Sequence, residues 1–511
     1  MSSPHDRSHD PAGTNADDDL EGIDPHVYER RWLTLAVLCT SLMIVIIGNT
    51  VLNVALPTLQ RPKELGGLGA SNTEVQWIVD AYGLVFAGLL FTAAALGDRF
   101  GRKGALQAGL VVFGCGSLIG ALGDSSTTVI AARAVMGIGA AFVMPSTLSI
   151  LTNVFPARER ARAIAIWAGI SGGGAALGPI ASGLLLEHFW WGSVFLINLP
   201  IIALALLAGY LLVPKSKDQH ETPLDPIGAV LSIIGLSALV YAIIEGPHHG
   251  WLSGESLLWF GGAILALVLW GVWEWRVKHP MLDLRLFRNP RFSVASGGIT
   301  LVFFAMFGTF FMMTQYMQGV LDYSPLGAAV RLLPISFVMM AVAPQTPKLV
   351  ARHGANVVGM VGLLCVSVGL VGIAILGTDT AYLQLIVTMM VMACGMALTM
   401  TPMTTQLMAS VPLNRAGMGS ATNDTTRELG GALGVAVLGS LLTERYSSQV
   451  ADAVGGLPAQ AREVAEASLG GVHGLVAQGI VPADSPLVST AKEAFVSGQS
   501  LAAAVGAVVG L

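Results

Sequence analysis

The sequence predicts an all-α membrane protein of fourteen transmembrane helices, arranged as two six-helix bundles with two further helices inserted between them. Only 12% of its 511 residues are charged and 53% are apolar, whereas a typical soluble protein carries about 25% charged residues. The mean hydropathy is +0.68, and apolar runs recur along the whole chain. This composition excludes a disordered, collagen-like, coiled-coil or ordinary cytosolic protein, and the small net charge of -5 argues against a nucleic-acid partner.

The apolar runs define the predicted spans. About 20 helical residues cross the roughly 30 Å hydrocarbon layer of a bilayer. Reading the runs between polar breaks places the spans at 31–57, 72–97, 104–123, 127–154, 163–187, 193–213, 225–244, 255–275, 292–317, 325–347, 355–376, 381–408, 417–443 and 494–511.

The spans divide the chain into four predicted regions. Residues 1–30 form a polar, acid-rich tail, 31–213 the first six-helix bundle, 214–291 the two inserted helices with their loops, and 292–511 the second bundle. The second bundle includes a long outer loop, which the sequence places at 444–493 and predicts to be partly helical. Most of the 27 lysines and arginines lie on the side of the tail, so both termini are expected in the cytoplasm.

An internal repeat supports the division into two bundles. Residues 144–186 align without gaps to 400–442, with identities that include Pro156 and Pro412 and the pair Gly178 and Gly434. A shared bias toward glycine and alanine in packed helices is the alternative explanation. Two related halves are typical of transporters whose site lies between them near the membrane midplane.

The short loop after the second span contains charges and a glycine at fixed positions. Asp98, Arg99, Gly101, Arg102 and Lys103 follow one another within six residues. The glycine allows a tight turn, and the charges can pair with neighbouring helix ends in one conformation and separate in another. We therefore predict a conformational switch, with the positive-inside rule as the simpler alternative.

Two further spans carry unusual residues. Arg133 lies within the fourth span, where an arginine costs about 2.5 kcal/mol or more unless it meets a partner or water. In the fifth span, Gly174, Gly178, Pro179 and Gly183 allow close helix packing and a bend. Gly178 and Pro179 are assigned to the switch, and generic helix packing is the alternative.

These stretches resemble the signature motifs of the major facilitator superfamily, and the fifth-span stretch resembles the motif of its drug exporters. The stretches Asn53–Pro57 and Gln76–Asp80 are similar to those of the fourteen-span drug:proton antiporters. The resemblance covers the chain from about residue 31 onward. It implies a non-enzymatic exporter that works without a cofactor and exchanges a small molecule for protons.

The first span departs from these relatives. They usually carry an aspartate at a position that matches Gly48 or Asn49, where this chain has no carboxylate. If that aspartate couples transport to protons in the family, this chain must use another acid, couple poorly, or not couple.

Six ionisable side chains lie deep within predicted spans. At roughly 3 kcal/mol each, they would cost on the order of 18 kcal/mol if unpaired, so they are expected to pair, neutralise or line water. They are Asp80, Asp424, Glu428, Arg133, Arg331 and Arg427.

The predicted proton or cation site combines five of these groups. Asp424, Arg427 and Glu428 share one helical face through spacings of three and four. Arg427 can neutralise only one carboxylate at a time, which leaves the other able to carry a proton. Asp80, roughly 12 Å below the outer surface, and Arg133 are included in this site. A structural ion cluster is the alternative.

The predicted substrate cavity consists of five residues. Asn53 and Trp77 come from the two stretches that resemble the drug antiporters, and Arg331 occupies nearly the repeat position of Asp80. Phe307 and Met400 belong to aromatic and methionine-rich helix sides, which suit bulky amphiphiles. Packing or lipid contact is the simpler explanation for both.

The sequence therefore predicts a secondary active exporter of amphiphilic drugs or natural products. It is expected to work by alternating access in the plasma membrane, as a monomer, with protons as the coupling ion and with no metal site. The alternative is a weakly coupled facilitator or importer of a small organic solute. A membrane-embedded sensor or enzyme is disfavoured, because no nucleophile–base pair, metal cluster or phosphate loop is present in the sequence.

Overall fold

A computed structural model describes residues 23–60, 67–70, 72–174, 177–217 and 224–510. All regular elements in these residues are helices. Those of the first half of the chain are α1 (Pro25–Thr50), α2 (Leu52–Gln60), α3 (Asn72–Phe100), α4 (Arg102–Leu122), α5 (Ser126–Val154), α6 (Ala157–Gly174), α7 (Leu177–His188), α8 (Ser193–Leu196) and α9 (Asn198–Leu212).

Two helices follow in the middle of the chain, and the rest belong to its second half. The middle pair is α10 (Pro226–His249) and α11 (Gly254–Arg276). The later helices are α12 (Pro290–Gln315), α13 (Pro325–Arg331), α14 (Leu333–Val342), α15 (Thr346–His353), α16 (Ala355–Ala374), α17 (Tyr382–Ala409), α18 (Ala416–Val450), α19 (Ala459–Ala467), α20 (Leu469–Ala477) and α21 (Pro486–Val509). The 3-10 turn Leu284–Arg288 precedes α12, and the π-helical turn Tyr316–Val320 follows it.

Local sequence explains where many helices begin. Asp24, Asp225 and Asn289 each accept a backbone N–H with their side chain, and each is followed by proline. Such a residue satisfies an orphan donor, and proline at the first position loses no hydrogen bond. The long apolar helices therefore begin at polar signals that the sequence itself carries.

The helices confirm an all-helical membrane protein, but not the number of spans. Eleven helices or helix pairs among the described residues are long and apolar enough to cross a bilayer. The predicted spans 163–187, 417–443 and 494–511 correspond to α6 with α7, to α18 and to α21, which are not among the eleven. The helices α18 and α21 contain more polar residues, and residues 175–176 between α6 and α7 lie outside the described ones. Fourteen spans therefore remain a prediction.

Several predicted boundaries differ from the structure. Residues 25–30, predicted as part of the tail, are the start of α1, because Asp24 and Pro25 form a helix start upstream of the apolar run. The first predicted span is two helices, since the chain makes a turn at Val51. The tenth is interrupted at Leu332.

The second half also has longer helices than predicted. The helix α18 continues to Val450 and α21 begins at Pro486, so both enter the segment predicted as a loop at 444–493. Polar residues at these helix ends hide them from a reading of hydropathy. Between them lie the short helices α19 and α20.

Corresponding helix pairs in the two halves cross in the same way. The helix α4 packs closely on α5, and α16 packs closely on α17. A Cβ on Gly139 would lie 2.5 Å from the Phe113 backbone nitrogen, and one on Gly395 would lie 2.6 Å from the Val366 nitrogen. Gly139 and Gly395 lie five residues before the two aligned segments, at the same offset, so both crossings depend on a glycine at corresponding positions.

The two halves meet along two seams. In one, α3 and α5 pack on α18; in the other, α6 packs on α14 and α17. The inserted helix α10 contacts both α3 and α18 at the edge of the first seam. The predicted ionisable residues of α3, α5 and α18 are thereby brought close to one another and to α6.

Candidate functional site

The helix α18 places three ionisable side chains at the seam between the halves. Asp424 is 1% exposed, its Oδ1 lies 3.6 Å from Arg427 Nη1, and Asn423 donates a hydrogen bond of 3.2 Å to the same oxygen. Asp424 Oδ2 has no hydrogen-bond partner within the described part of the chain. One carboxylate oxygen is therefore left for a proton or for water.

Arg427 connects α18 to the first half. Its Nη2 donates a 2.6 Å hydrogen bond to Ser171 Oγ on α6. Its guanidinium lies 5.4 Å from the Trp167 ring centroid and 4.7 Å from that of Phe303. Aromatic faces attract a desolvated cation, so Arg427 is held by both halves.

Glu428 faces the opposite neighbour, α3. A Cβ on Gly83 would lie 3.3 Å from Glu428 Oε1, so the glycine leaves room for the carboxylate. Glu428 interacts electrostatically with Arg427, Asp424 and the Tyr82 side chain. The two carboxylates of α18 share one arginine.

Arg133 is fully buried between α1, α3 and α5. Its Nε donates to the Ile78 carbonyl at 2.9 Å and its Nη1 to the Gly48 carbonyl at 3.0 Å. Its Nη2 lies 3.4 Å from Asn49 Oδ1, and its guanidinium lies 4.3 Å from the Tyr82 ring centroid. Tyr82 is thus next to Arg133 and near Glu428. We call Arg133, Tyr82, Asp424, Arg427 and Glu428 the central charge cluster.

Asp80 lies beside this cluster, toward the inserted helices. Its carboxylate accepts a hydrogen bond from Gln76 and interacts with Glu245 of α10 and with Arg133. Gln76 Nε2 also donates to Glu245 Oε1 at 3.4 Å. The neighbouring Trp77 ring stacks on the ring of Tyr241 of α10, with the two ring centroids 6.1 Å apart. The inserted pair therefore contributes an acid and an aromatic ring next to Asp80.

Two of the predicted switch residues join the halves on the side that the lysine and arginine pattern predicts to be cytoplasmic. Asp98 Oδ2 accepts the Gly417 backbone N–H at 2.9 Å, and Asp98 Oδ1 accepts Arg102 Nε at 2.7 Å. Arg102 Nη2 donates to the carbonyls of Leu413 and Asn414, both at 3.1 Å. We call these five residues the inner gate, after the side predicted to face the cytoplasm, and we call the gate closed when these contacts are formed, as they are in this structure.

The described contacts of the other loop residues are as follows. Gly101 has a φ of 121° and precedes α4, a backbone conformation that favours glycine. Lys103 Nζ donates to the Tyr210 carbonyl at 2.7 Å, and the Arg99 guanidinium lies 5.5 Å from the Phe100 ring centroid. Gly354 has a φ of 84° before α16, so the corresponding loop of the second half turns on a glycine too.

Gly178 and Pro179 lie in α7, the outer part of the fifth predicted span. Gly178 is buried where an added Cβ would collide with the Thr50 side chain. Four residues beyond Pro179, a Cβ on Gly183 would lie 3.1 Å from Leu326 of α13. The glycines thus allow α7 to approach both the first helix and the second half.

The predicted substrate-cavity residues do not converge. Trp77 lies beside Asp80, while Arg331 donates to the Gly327 carbonyl at 3.1 Å and stacks on Tyr323 near the outer loop. Phe307 is 39% exposed and packs on Gly431, and Met400 is buried in the core of the second half. The side chain of Asn53 lies outside the described ones. The packing explanation therefore fits Met400.

Sequence reasoning missed the partners of these charges. Ser171 and Trp167 hold Arg427, Tyr82 lies next to Arg133 and near Glu428, and Glu245 faces Asp80. Among these only Glu245, an acid at the end of the seventh apolar run, carries a signal of its own. The others are ordinary residues of packed helices, and only their spatial position gives them a role.

At the inner surface, outside the spans, α6 is tied to α1. Arg31 Nε lies 2.6 Å from Glu159 Oε2, and the Tyr28 hydroxyl donates to Glu159 Oε1 at 2.9 Å. The hydrogen bond from Arg31, aided by that from Tyr28, holds the pKa of Glu159 below its usual value. This carboxylate is thus a structural anchor that is ionised at neutral pH.

Comparison with known proteins identifies the family of the chain. Residues 38–435 match the Major Facilitator Superfamily. The chain is 36% identical over 481 residues to the multidrug efflux pump LfrA of Mycolicibacterium smegmatis, covering 94% of each chain. It is also 36% identical over 419 residues to the multidrug resistance protein Stp of Mycobacterium tuberculosis, covering 81% of this chain and 76% of that protein.

A solved structure shows the same fold. The human organic anion transporter MFSD10 (TETRAN) superposes with a TM-score of 0.60 at 13% identity, over 94% of this chain and 99% of that one. The helical architecture, the seam of charges and these relatives define a multi-pass membrane transporter. The chain belongs to the major facilitator superfamily.

Proposed function

We propose that the chain is a secondary active exporter of amphiphilic drugs or natural products, which exchanges its cargo for protons by alternating access. The central charge cluster carries this proposal. It joins both halves through Arg427 and Ser171, and it holds two carboxylates that share one arginine. A group that must change its partners when the halves move is suited to couple protonation to movement.

The proton steps follow from the contacts of α18. When Arg427 pairs with Asp424, Glu428 is the carboxylate that accepts a proton beside Gly83 and Tyr82. When cargo or a second proton displaces that pair, Arg427 can turn to Glu428 and Asp424 takes the proton. Asp80, with Gln76 and Glu245, is the route from the outer surface.

The proposed architecture is the fourteen-span form of the family. Residues 31–213 and 292–511 form the two six-helix bundles, and 214–291 carry the inserted pair. Both termini are cytoplasmic in the plasma membrane, where the monomer confers resistance to antibiotics. The multidrug names of LfrA and Stp support this cargo class.

Proton entry supplies enough energy for useful export. A proton that crosses 100 mV releases about 2.3 kcal/mol, which supports roughly 50-fold accumulation of a neutral cargo on the outer side.

Transport in proteoliposomes tests the proposal. A panel of fluorescent amphiphilic dyes and antibiotics is followed with and without an imposed pH gradient, for the wild type, Glu428→Gln and the matched control Glu463→Gln, whose carboxylate is exposed on α19. We expect gradient-driven transport by the wild type and the control and none by Glu428→Gln. Transport that is equal with and without the gradient would reject antiport.

A weakly coupled facilitator is the second candidate, and one observation favours it. The related antiporters usually carry an aspartate at the position of Gly48 or Asn49. In this chain Arg133 donates there to the Gly48 carbonyl and to the neutral amide of Asn49 instead of to a carboxylate. In that case the same dyes equilibrate across the membrane and never accumulate against their gradient.

A further inference from the structure

The inner surface has a basic cavity of about 340 Å³, separate from the central charge cluster. Arg276 and Lys278 line it from the end of α11, Arg285 from the following 3-10 turn, and Arg415 from the residue before α18. None of these four side chains forms an ion pair with another described residue. Four cations that form no ion pair within the described part of the chain therefore line one cavity.

The two acids in the wall can neutralise at most half of this positive charge. Glu274 Oε1 accepts Trp270 Nε1 at 2.8 Å and its Oε2 accepts the Leu282 N–H at 3.4 Å. Asp283 Oδ1 accepts the Arg285 backbone N–H at 3.0 Å. These carboxylates are engaged by the local fold, and cations outnumber them two to one in the lining. The cavity therefore favours an anion.

The surroundings place the cavity at the edge of the bilayer. Along α11, apolar side chains such as Leu258, Leu265 and Val272 are exposed over the length of the helix, as on a lipid-facing helix. At its inner end the exposed Trp275, with Arg288 stacked 4.9 Å from its ring, marks the level of the lipid head groups. Among anions, the head group of a lipid has the most direct access to a cavity at this level.

We propose that the cavity lined by Arg276, Lys278, Arg285 and Arg415 binds the head group of an anionic phospholipid from the inner leaflet. Its volume lies at the lower end of the roughly 300–1,000 Å³ of small-molecule sites, enough for a phosphate with its glycerol. Basic pockets between helices on the cytoplasmic side are suited to such head groups. The acyl chains would lie along the exposed side of α11.

A lipid in this cavity also acts on the inner gate. Arg415 follows Asn414, whose carbonyl accepts Arg102 of the gate. Asp283 N–H contacts Met418 Sδ at 3.4 Å, so the linker between α11 and α12 already touches the start of α18. A phosphate that holds Arg285 and Arg415 together stabilises the closed gate, because it binds the closed arrangement better than the open one.

Lipid titration of the purified full-length protein tests the site. Binding of phosphatidylglycerol is measured by native mass spectrometry for the wild type, for R276Q/R285Q, and for the control K348Q/R352Q, which removes two exposed inner charges of α15. We expect affinity to fall roughly 30-fold in R276Q/R285Q, a factor of about five per charge, and to stay within about twofold in the control. Equal binding by all three proteins overturns the proposal, and so does an equal loss in both double variants.

Two further arms make the result independent of variant folding and of the anion's source. A photoactivatable phosphatidylglycerol in phosphatidylcholine nanodiscs is expected to cross-link wild-type protein at residues 276–288, and cross-links confined to other segments contradict the site. Inorganic phosphate in the same nanodiscs should compete poorly. If millimolar phosphate abolishes the cross-link, the cavity is a soluble-anion site and the phospholipid assignment is wrong.

Discussion

Replacing Asp98 with alanine is expected to open the inner gate. Asp98 accepts the Gly417 N–H at 2.9 Å and orients Arg102 through a 2.7 Å hydrogen bond. Arg102 in turn donates to the carbonyls of Leu413 and Asn414. The substitution removes one hydrogen bond between the halves outright and frees the side chain that makes two others.

The size of the effect follows from the charged hydrogen bond that is lost. Hydrogen bonds to charged groups contribute about 1.5–3 kcal/mol, so the ratio of inward-open to inward-closed molecules should rise by about 10- to 150-fold. If about 1% of wild-type molecules are inward-open, a usual population for a minor state, about 10–60% of the variant will be.

Double electron–electron resonance measures this shift directly. Spin labels at Ala157 and Ala351, both exposed at the predicted inner ends of the two halves, are introduced after the four native cysteines are replaced. Lys103→Gln is the matched control, because among the described residues the Lys103 side chain hydrogen-bonds only to the Tyr210 carbonyl, within the first half. An unchanged distance distribution in Asp98→Ala, or the same change in Lys103→Gln, would refute the gate.

Three further predictions concern the seam and the packing around it. Ser171→Ala removes the 2.6 Å hydrogen bond to Arg427 and should lower stability by about 1–3 kcal/mol in a thermal unfolding assay; an unchanged melting temperature would show that Arg427 is held elsewhere. Gly434→Ala brings a Cβ against the Phe304 carbonyl and should separate α12 from α18. The control Gly262→Ala has open space at its Cβ and should match the wild type in yield and melting temperature. Equal losses of yield and melting temperature in both variants would contradict the packing argument. Glu159→Gln tests the ion pair with Arg31, which lowers the pKa of Glu159. The wild type should be more stable than the variant by about 1 kcal/mol at pH 7, and this difference should disappear as the pH falls from the ordinary glutamate pKa through the lowered one. A constant difference in stability from pH 7 to pH 3 would contradict the assigned ion pair.

The helices could be predicted because apolar length and capping residues are local properties. The prediction at 127–154 matches α5 within a residue, and that at 381–408 matches α17 equally well. The breaks at Val51 and Leu332 were not predicted from hydropathy, although polar residues precede Val51 and Pro334 follows Leu332 closely. Hydropathy measures the free energy of transferring residues into the membrane and carries little information about a change of helix direction.

The candidate site was partly predictable for the same reason. The spacing of Asp424, Arg427 and Glu428 predicts a shared face, and the structure places all three at the seam. Their partners on α3 and α6 are non-local, so no spacing in the sequence indicates them. Arg331 was expected as the counterpart of Asp80, but the break at Leu332 leaves it near the outer loop against Tyr323.

Proton release on cargo binding tests the central claim that Arg427 pairs with one carboxylate at a time while the other carries the proton that is exchanged for cargo. Purified protein in weakly buffered detergent solution is mixed with a transported dye, and the released protons are counted with a pH indicator near neutral pH. We predict about one proton per molecule for the wild type and a loss of this release in Glu428→Gln and in Asp424→Asn, each of which still binds the dye. If both variants release as many protons as the wild type, the coupling carboxylates lie elsewhere.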